Sequence, residues 1–331
     1  MRRALLWPLT GVAVVVGLAV VLAIAGWLFV HGRLDSPGPA RDERTVVLPQ
    51  GLSAFDIADA LEEAGVIDDP LLFVAGLWIE DKQHALKAGE YVFEALVTPR
   101  GVMEKLVAGK TVVHRLTVVE GMTSAEVVAA LNGAPGLEGE IMAVPEEGSL
   151  LPETYHYALG DSRAVLIERM QRAMARLVDE LWSARDPAVG LDEAHQAVVL
   201  ASVVEKETAL ADEMPVIAGV FLNRLRQDMR LQADPTVIYA VTGGKKPLGR
   251  ALRRADLWVE SPYNTYRQKG LPPGPIANPG RAALAAVLNP AETDALYFVA
   301  DGSGGHAFAK TLDEHNRNVA RWRAKRAKAK K

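Results

Sequence analysis

The chain opens with an uninterrupted run of apolar positions. From Ala4 to Val30 no residue is charged, and a run of this length can cross a bilayer as one helix. Arg2 and Arg3 precede the run, so the positive-inside tendency would keep this end in the cytoplasm and export the rest of the chain. A cleaved signal peptide is the alternative, but the apolar run is longer than a typical signal core. We expect a cytoplasmic tip and transmembrane anchor over residues 1–31.

Beyond the anchor, a strand–helix pattern occurs twice. Residues 32–44 are rich in Gly, Pro and charge, and they predict a linker. The segments 45–66 and 116–137 then share an apolar strand, a glycine, a Ser or Thr helix cap and an amphipathic helix. The glycine and the cap are Gly51 and Ser53 in the first copy, and Gly121 and Thr123 in the second. The repeat predicts a small α+β region over residues 45–147.

The remainder of the chain, residues 148–322, has the pattern of a larger mixed domain. Apolar residues at helical spacing predict helices over 163–185 and 192–210, and a proline predicts the start of a third helix over 214–228. Short strands, Pro/Gly-rich loops and further helices follow. The basic segment 323–331 is expected to be disordered. The predicted fold class is α+β, with one transmembrane helix, a small α+β subdomain and a larger mixed α/β domain.

Composition narrows the classes of function. The chain of 331 residues has a net charge of −4 and no basic stripe in its body, which argues against nucleic-acid binding. It has no cysteine, which removes disulfide frameworks and thiolate metal sites. Its seven histidines lack the spacing of an HExxH metal motif. We therefore expect no metal and no cofactor.

Two glutamates in the helix predicted over 192–210 raise the question of chemistry. Glu205 and Glu207 are two positions apart, so on a helix they point to nearly opposite sides. Glu207 shares its face with a set of apolar residues. These residues are Leu200, Val203, Val204, Leu210 and Ala211. Glu205 has mostly small or polar neighbours, so we expect it to reach water and to pair with Lys206 or with a residue elsewhere.

An acid at position 207 would keep its proton near neutral pH, because desolvation raises the pKa of a carboxyl group among apolar side chains. A protonated glutamic acid is what a general acid at a glycosidic oxygen requires. Two other interpretations stay open at this point. Glu207 could be buried and paired with Arg224 or Arg226, or the helix could end early and leave Glu207 exposed.

Four motifs lie between residues 150 and 316. They are LLPETY at 150–155, ASVVEKETALADEMPVIAGVFLNRLRQDMRLQADPTVIYA at 201–240, SPYNTYRQKGLPPGPIANPG at 261–280 and LYFVADGSGGHAFAKTLDEHN at 296–316. Together they resemble the MltG (YceG-like) family of endolytic murein transglycosylases. The resemblance implies a single-pass protein of the cytoplasmic (inner) membrane with a periplasmic, extracytoplasmic enzyme. It also implies that residues 45–147 are LysM-like and that residues 148–322 are catalytic.

The resemblance further implies a reaction and partners. The family cuts the β-1,4 bond between N-acetylmuramic acid and N-acetylglucosamine in nascent peptidoglycan strands, leaves a 1,6-anhydromuramoyl end and thereby terminates strand elongation. Penicillin-binding synthases are the implied partners. Ordinary glycosidases use two carboxyl groups. Here the muramoyl C6 hydroxyl would be the internal nucleophile, so one glutamate could protonate the leaving oxygen and then accept the C6 proton.

The resemblance places the catalytic glutamate within EKET. We assign it to Glu207, because Glu207 and Thr208 resemble the Glu-Ser/Thr pair of other lytic transglycosylases and because the helical face agrees. Glu205 is the fallback. We predict that a further set of residues contacts the glycan. This set is Glu153, Glu205, Gln232, Asp234, Thr236, Tyr263, Asn264, Tyr266 and His306.

Several of these assignments have a structural alternative. Tyrosine faces and amides suit stacking on and hydrogen bonding to N-acetyl sugars, but tyrosines also pack in cores. Asp234 could instead cap a helix that has Pro235 at its first position. His306 could make a structural hydrogen bond, and Glu153 could lie on the surface.

Two other classes of function remain as alternatives. One is a non-catalytic, membrane-anchored glycan-binding scaffold for cell-wall synthases. The other is a lyase acting on a small metabolite such as aminodeoxychorismate, which fits poorly because an exported enzyme does not meet cytoplasmic metabolites.

Overall fold

The computed structural model describes the backbone of residues 6–329 and the side chains of residues 14–327. Arg2 and Arg3, on which the predicted orientation depends, lie outside these residues, as does the very end of the basic segment. The described part contains eleven α-helices and six β-strands, which confirms a mixed α+β fold. It forms two compact units. The first runs to His114 and includes Ala158–Gly160, and the second contains Arg115–Tyr157 and the described residues from Asp161 onward.

The first unit begins with the predicted apolar helix. Its helices and strands are α1 (Leu6–Leu34), β1 (Arg44–Leu48), α2 (Ala54–Glu63), α3 (Pro70–Ile79), β2 (Gly89–Phe93) and α4 (Pro99–Ala108). Within α1, the segment Val14–Leu34 is long and apolar enough to cross a membrane. The end of α1 packs into the unit, because Leu34 is fully buried and its side chain lies directly against Gly76 of α3.

The segment predicted as a linker, residues 32–44, is instead packed into the first unit. Ala40 is buried, and its carbonyl accepts a hydrogen bond of 2.7 Å from the amide of Leu96. Gly38 donates to the carbonyl of Val97, and a Cβ at position 38 would lie 2.5 Å from that oxygen. The glycine allows a close approach of two backbone segments here, so this expectation was wrong. Strands β1 and β2 pair antiparallel over the core, from Arg44 opposite Phe93 to Leu48 opposite Gly89.

The second unit contains the remaining helices and strands. They are β3 (from His114 at the boundary to Thr117), α5 (Ser124–Gly133), β4 (Thr154–Tyr157), α6 (Arg163–Ser183), α7 (Ala194–Glu207), α8 (Met214–Arg226), α9 (Asp234–Thr242), α10 (Arg281–Leu288), β5 (Tyr297–Ala300), β6 (His306–Ala309) and α11 (Leu312–Ala329). Helix α7 is the central one, since α6, α8, α9 and α10 all contact it. Every residue of α7 from Ala197 to Val204 is buried, which fixes the end of this helix in a rigid core.

The two strand–helix copies have the same local structure but belong to different units. Helices α2 and α5 both begin with a capping box, made by Ser53 with Asp56 and by Thr123 with Glu126. The second copy packs against a core that includes Leu150, Tyr155 and Met170 of α6. The boundary between the two compact units falls at His114 and not after residue 147. The reason is that the apolar face of α5 shares a core with residues that follow position 147.

The basic segment 323–331 was expected to be disordered, whereas α11 continues through Ala329. The helix has a capping box at its start, since Thr311 and Glu314 exchange hydrogen bonds between side chain and backbone. The segment that follows is rich in Ala, Lys and Arg, which are strong helix formers. Helix propensity and a good cap explain why the charged residues do not end the helix.

Candidate active site

Glu207 is the last residue of α7, and the chain turns away directly after it. Thr208 has an extended backbone, and its hydroxyl accepts from the amide of Leu210 at 3.0 Å. The helix therefore ends three residues earlier than predicted. Glu207 is nevertheless not left open, because its side chain is only partly exposed and lies between two cavities. We name the cavity of about 450 Å³ the first cavity and that of about 400 Å³ the second cavity.

The first cavity brings Glu207 together with four of the residues predicted to contact glycan. Gln232, Asp234, Tyr266 and His306 all line it. The hydroxyl of Tyr266 donates to Asp234 Oδ1 at 2.6 Å, which fixes both side chains. Helix α9 has Ala233 as its N-cap, so Asp234 stands in the first turn and is not the cap. These contacts join residues from α7, α9, β6 and the loop before α10.

Burial raises the pKa of Glu207 to about 8. The negative charge of Asp234 raises it as well, and the positive charge of Arg224 opposes both effects. Glu207 is therefore a carboxylic acid that holds its proton at neutral pH. This is the protonation state that a general acid needs.

The alternative of an ion pair between Glu207 and an arginine finds no support in the described part of the chain. Arg224 is buried, but its guanidinium donates to backbone carbonyls, at 2.6 Å to Leu296 and 2.9 Å to Leu231. Arg226 is exposed and donates to Asn223 Oδ1. None of the ion pairs described between residues 14 and 327 includes Glu207. Its carboxyl group is thus not neutralised by a direct cationic partner.

Glu205 is partly exposed and pairs with a residue elsewhere in the chain, which is one of the two kinds of partner that we expected. Its Oε2 accepts from the amide of Gly280 at 2.9 Å, and Gly280 is the N-cap residue of α10. Burial raises the pKa of Glu205, the hydrogen bond from Gly280 opposes this, and the nearby charge of Glu120 raises it further. Lys206, the other expected partner, donates instead to the carbonyl of Gly121 at 2.9 Å. Glu205 lines the second cavity and ties the end of α7 to the start of α10.

Comparison with known proteins decides the family. The sequence profile of the YceG-like family matches residues 46–321. The chain belongs to the YceG-like family. It is 30% identical to the endolytic murein transglycosylase of Bacillus subtilis over 89% of each chain. It is 29% identical to the endolytic murein transglycosylase of Streptococcus pneumoniae, strain D39, over 91% of this chain and 63% of that one. The crystal structure of a YceG-like protein from Listeria monocytogenes shares 31% identity and superposes with a TM-score of 0.53, covering 84% of this chain and 99% of that one.

Several predicted contact residues of this YceG-like protein lie away from both cavities. Thr236 is fully buried and bonds the carbonyl of Ala233 and the hydroxyl of Thr265. Asn264 is also fully buried, and its amide donates to two carbonyls of its own loop. Their polar atoms are used within the fold, so their contact with glycan stays a prediction. Tyr263 packs against Tyr239 with ring centroids 4.8 Å apart, and Tyr263 lines neither cavity.

Glu153 is exposed just before β4 and also lines neither cavity. Its backbone carbonyl accepts from the amide of Val118, so the residue serves pairing next to β3. The surface alternative for Glu153 therefore describes its position.

The YceG-like site contains a histidine–glutamate pair that the sequence did not reveal. Glu213 accepts from the backbone amide of His306 at 2.7 Å, and its other oxygen lies 2.7 Å from His306 Nδ1. Burial works against ionisation of Glu213, but the hydrogen bonds from His306 prevail and lower its pKa. The two residues are 93 positions apart, so no local pattern could have paired them. The pair fixes the β6 edge of the first cavity.

Tyr297 and His315 also line the first cavity, and neither was predicted individually. Their rings pack with centroids 5.4 Å apart. Burial, and then the charge of Arg224, lowers the pKa of His315, so its imidazole is neutral at pH 7. Both residues lie in the motif at 296–316, and that resemblance was the one signal that could have found them.

Proposed function

We propose that this protein is an endolytic murein transglycosylase that cleaves the β-1,4 bond between N-acetylmuramic acid and N-acetylglucosamine. The relatives of that name support the activity. The observation that carries the mechanism is the position of Glu207, a protonated acid with a cavity on each side. Sugars can then occupy both sides of the reacting bond, as cleavage within a strand requires. The non-catalytic scaffold does not account for this acid.

Glu207 acts first as the acid and then as the base. Its proton passes to the glycosidic oxygen as the bond from muramoyl C1 breaks. The C6 oxygen of the same sugar attacks C1, and its proton passes to the Glu207 carboxylate, which restores the acid. The positive charge that develops at C1 lies in a cavity lined by Asp234, whose carboxylate stabilises it and is held by Tyr266. The products are an N-acetylglucosamine end and a 1,6-anhydromuramoyl end.

Mass analysis of the products tests this activity. Full-length protein in detergent should convert long peptidoglycan strands into fragments whose muramoyl ends are lighter by one water than hydrolytic ends. Binding of strands without any cleavage would support the scaffold, and reducing muramoyl ends would show that water, and not C6, is the nucleophile.

Activity should decline at alkaline pH. Because burial raises the pKa of Glu207 to about 8, kcat/KM should fall roughly tenfold per pH unit above that value as the acid loses its proton.

The same shift in the pKa of Glu207 makes the stability of the fold depend on pH. The unfolded chain releases this proton near 4.5 and the folded chain near 8, so stability should be lost as pH rises between these values. Measurement of kcat/KM against pH checks the activity, and thermal unfolding at the same pH values checks the stability. A loss of activity that begins near pH 5 would contradict the assignment.

We further propose that α1 anchors the protein in the cytoplasmic membrane, with the second unit outside and penicillin-binding synthases as neighbours. The burial of Leu34 in the first unit supports a helix that is retained and not cleaved. The chain has no cysteine, so a single introduced cysteine can show on which side of the membrane its position lies. Trp258→Cys, at a site 70% exposed, should react with an impermeant maleimide in intact protoplasts, whereas a cysteine inserted directly after Met1, with Arg2 and Arg3 kept, should react only after lysis. The reverse pattern would contradict the orientation. A LysM-like role for residues 45–147 stays a prediction.

A further inference from the structure

A third cavity, which we name the side cavity, has a volume of about 320 Å³. Lys206 lines both the side cavity and the second cavity. Pro235 lines the side cavity, and its neighbour Asp234 lines the first cavity. The side cavity is therefore lined by the sequence neighbours of Glu207 in α7 and of Asp234 in α9.

The side cavity has apolar walls and a cationic rim. The walls include Ile238, Leu248 and Ile276, and the rim carries Lys206 and Lys246. Lys246 is exposed and makes no hydrogen bond or ion pair within the described residues, so its charge is available to a ligand.

The other charged groups of the lining have partners within the fold, and Lys206 uses one of its three N–H donors on the carbonyl of Gly121. Arg250 bonds both carboxylate oxygens of Asp256, at 2.6 and 2.8 Å. Glu126 is held in the capping box of α5, where it accepts from the amide of Thr123 at 2.9 Å. Among the described residues of the lining, Lys206 and Lys246 carry two positive charges that no ion pair neutralises, against the one negative charge of Glu126, so the net charge that a ligand meets is positive.

The wall of the side cavity is fixed before any ligand arrives. Gly244 has a φ of +69°, and a Cβ there would lie 2.7 Å from the ring of Tyr239 and 3.0 Å from Glu147 Oε1. Thr123 Oγ1 donates to the carbonyl of Gly244 at 2.7 Å, which joins this loop to the start of α5. Glu147 in turn accepts from the amide of Ser124 at 3.0 Å. These contacts hold the loop that carries Lys246 and Leu248, so little ordering is needed on binding.

The shape and charge of the side cavity match the branch of the proposed substrate. A peptidoglycan strand is linear, but each muramoyl residue carries a short peptide on its lactyl group. That stem peptide has small apolar side chains and free carboxylates. We propose that the side cavity binds the stem peptide of the muramoyl residue next to Glu207, an inference that rests on the proposed function. Lys246 and Lys206 recognise stem carboxylates, and the apolar wall takes the side-chain methyl groups.

The test uses the full-length protein and two forms of the same strands, with stems intact or removed by an amidase. Wild-type protein should have a lower KM for stem-bearing strands. The KM ratio is defined as the KM for strands without stems divided by the KM for stem-bearing strands. In Lys246→Ala this ratio should fall toward one, by about tenfold if one charge-assisted hydrogen bond is lost. The kcat on stem-bearing strands should not change. Lys245→Ala is the matched control, because Lys245 is exposed and adjacent but does not line the cavity. Its KM ratio should equal that of wild type.

A second variant and a modified substrate separate the two parts of the recognition. Leu248→Ser should lower the KM ratio through the apolar wall. Amidation of the stem carboxylates should lower the ratio more for wild type than for Lys246→Ala, in which only Lys206 is left to bind a carboxylate. Equal KM values for both strands in wild type, or an unchanged ratio in Lys246→Ala, would overturn the inference. Wild-type protein that cuts neither strand would overturn the proposed function itself.

Discussion

Glu207→Gln protein should bind peptidoglycan strands and release almost no anhydromuramoyl products. Glutamine keeps the shape of the side chain but can neither donate a proton to the glycosidic oxygen nor accept one from C6. Loss of a general acid lowers rates by about 10²- to 10⁴-fold, and Glu207 serves in both half-steps, so the upper end of this range is expected. The measurement is single-turnover cleavage of long strands, followed by mass analysis of the ends.

Glu205→Gln is the matched control, two positions away in the same helix. Glutamine can still accept the hydrogen bond from Gly280, so the variant should keep its activity and lose at most about 1 kcal/mol of stability. Thermal unfolding should show that both variants are folded. If Glu205→Gln lost cleavage while Glu207→Gln retained it, the catalytic acid would be Glu205 and the assignment of both proton transfers to Glu207 would be wrong.

The face of α7 that carries Glu207 could be predicted from helical periodicity. Leu200, Val203 and Val204 lie in the core, and they precede Glu207 by seven, four and three positions. At helical spacing they set the direction in which Glu207 points. Leu210 and Ala211 were predicted on the same face, but Thr208 leaves the helical conformation before them. Leu210 is 44% exposed and Ala211 is exposed as well. No Gly or Pro marks this helix end. The assignment of Glu207 thus depended on the half of the pattern that precedes it.

Loop residues were harder to predict because their directions depend on turns and not on a period. In the sequence YNTY, Tyr266 reaches the first cavity, whereas Asn264 points inward and bonds the carbonyls of Leu257 and Val259. Both side chains suit a sugar chemically, so residue type could not separate them. Partners distant in sequence, such as Gly280 for Glu205 at 75 positions, depend on the packing of α10 against α7.

Arg224 joins two walls of the first cavity, and its loss should have the largest effect on stability. Its guanidinium donates to the carbonyl of Leu296, just before β5, and to those of Arg230 and Leu231, before α9. Arg224→Met keeps an unbranched apolar stem but removes the guanidinium, and it leaves these buried carbonyls without a donor. The free energy of unfolding should fall by about 3 to 5 kcal/mol, measured by chemical denaturation.

Arg226→Met separates this effect from a general loss of charge on α8. Arg226 is exposed and bonds one side-chain oxygen, so its replacement should change stability by less than about 0.5 kcal/mol. At a temperature where Arg224→Met is still folded, its KM should rise, because β5 and the start of α9 carry Tyr297 and Asp234 into the cavity. Equal stability losses in the two variants would mean that the buried carbonyls find other donors. The walls on either side of Glu207 would then be held by apolar packing alone.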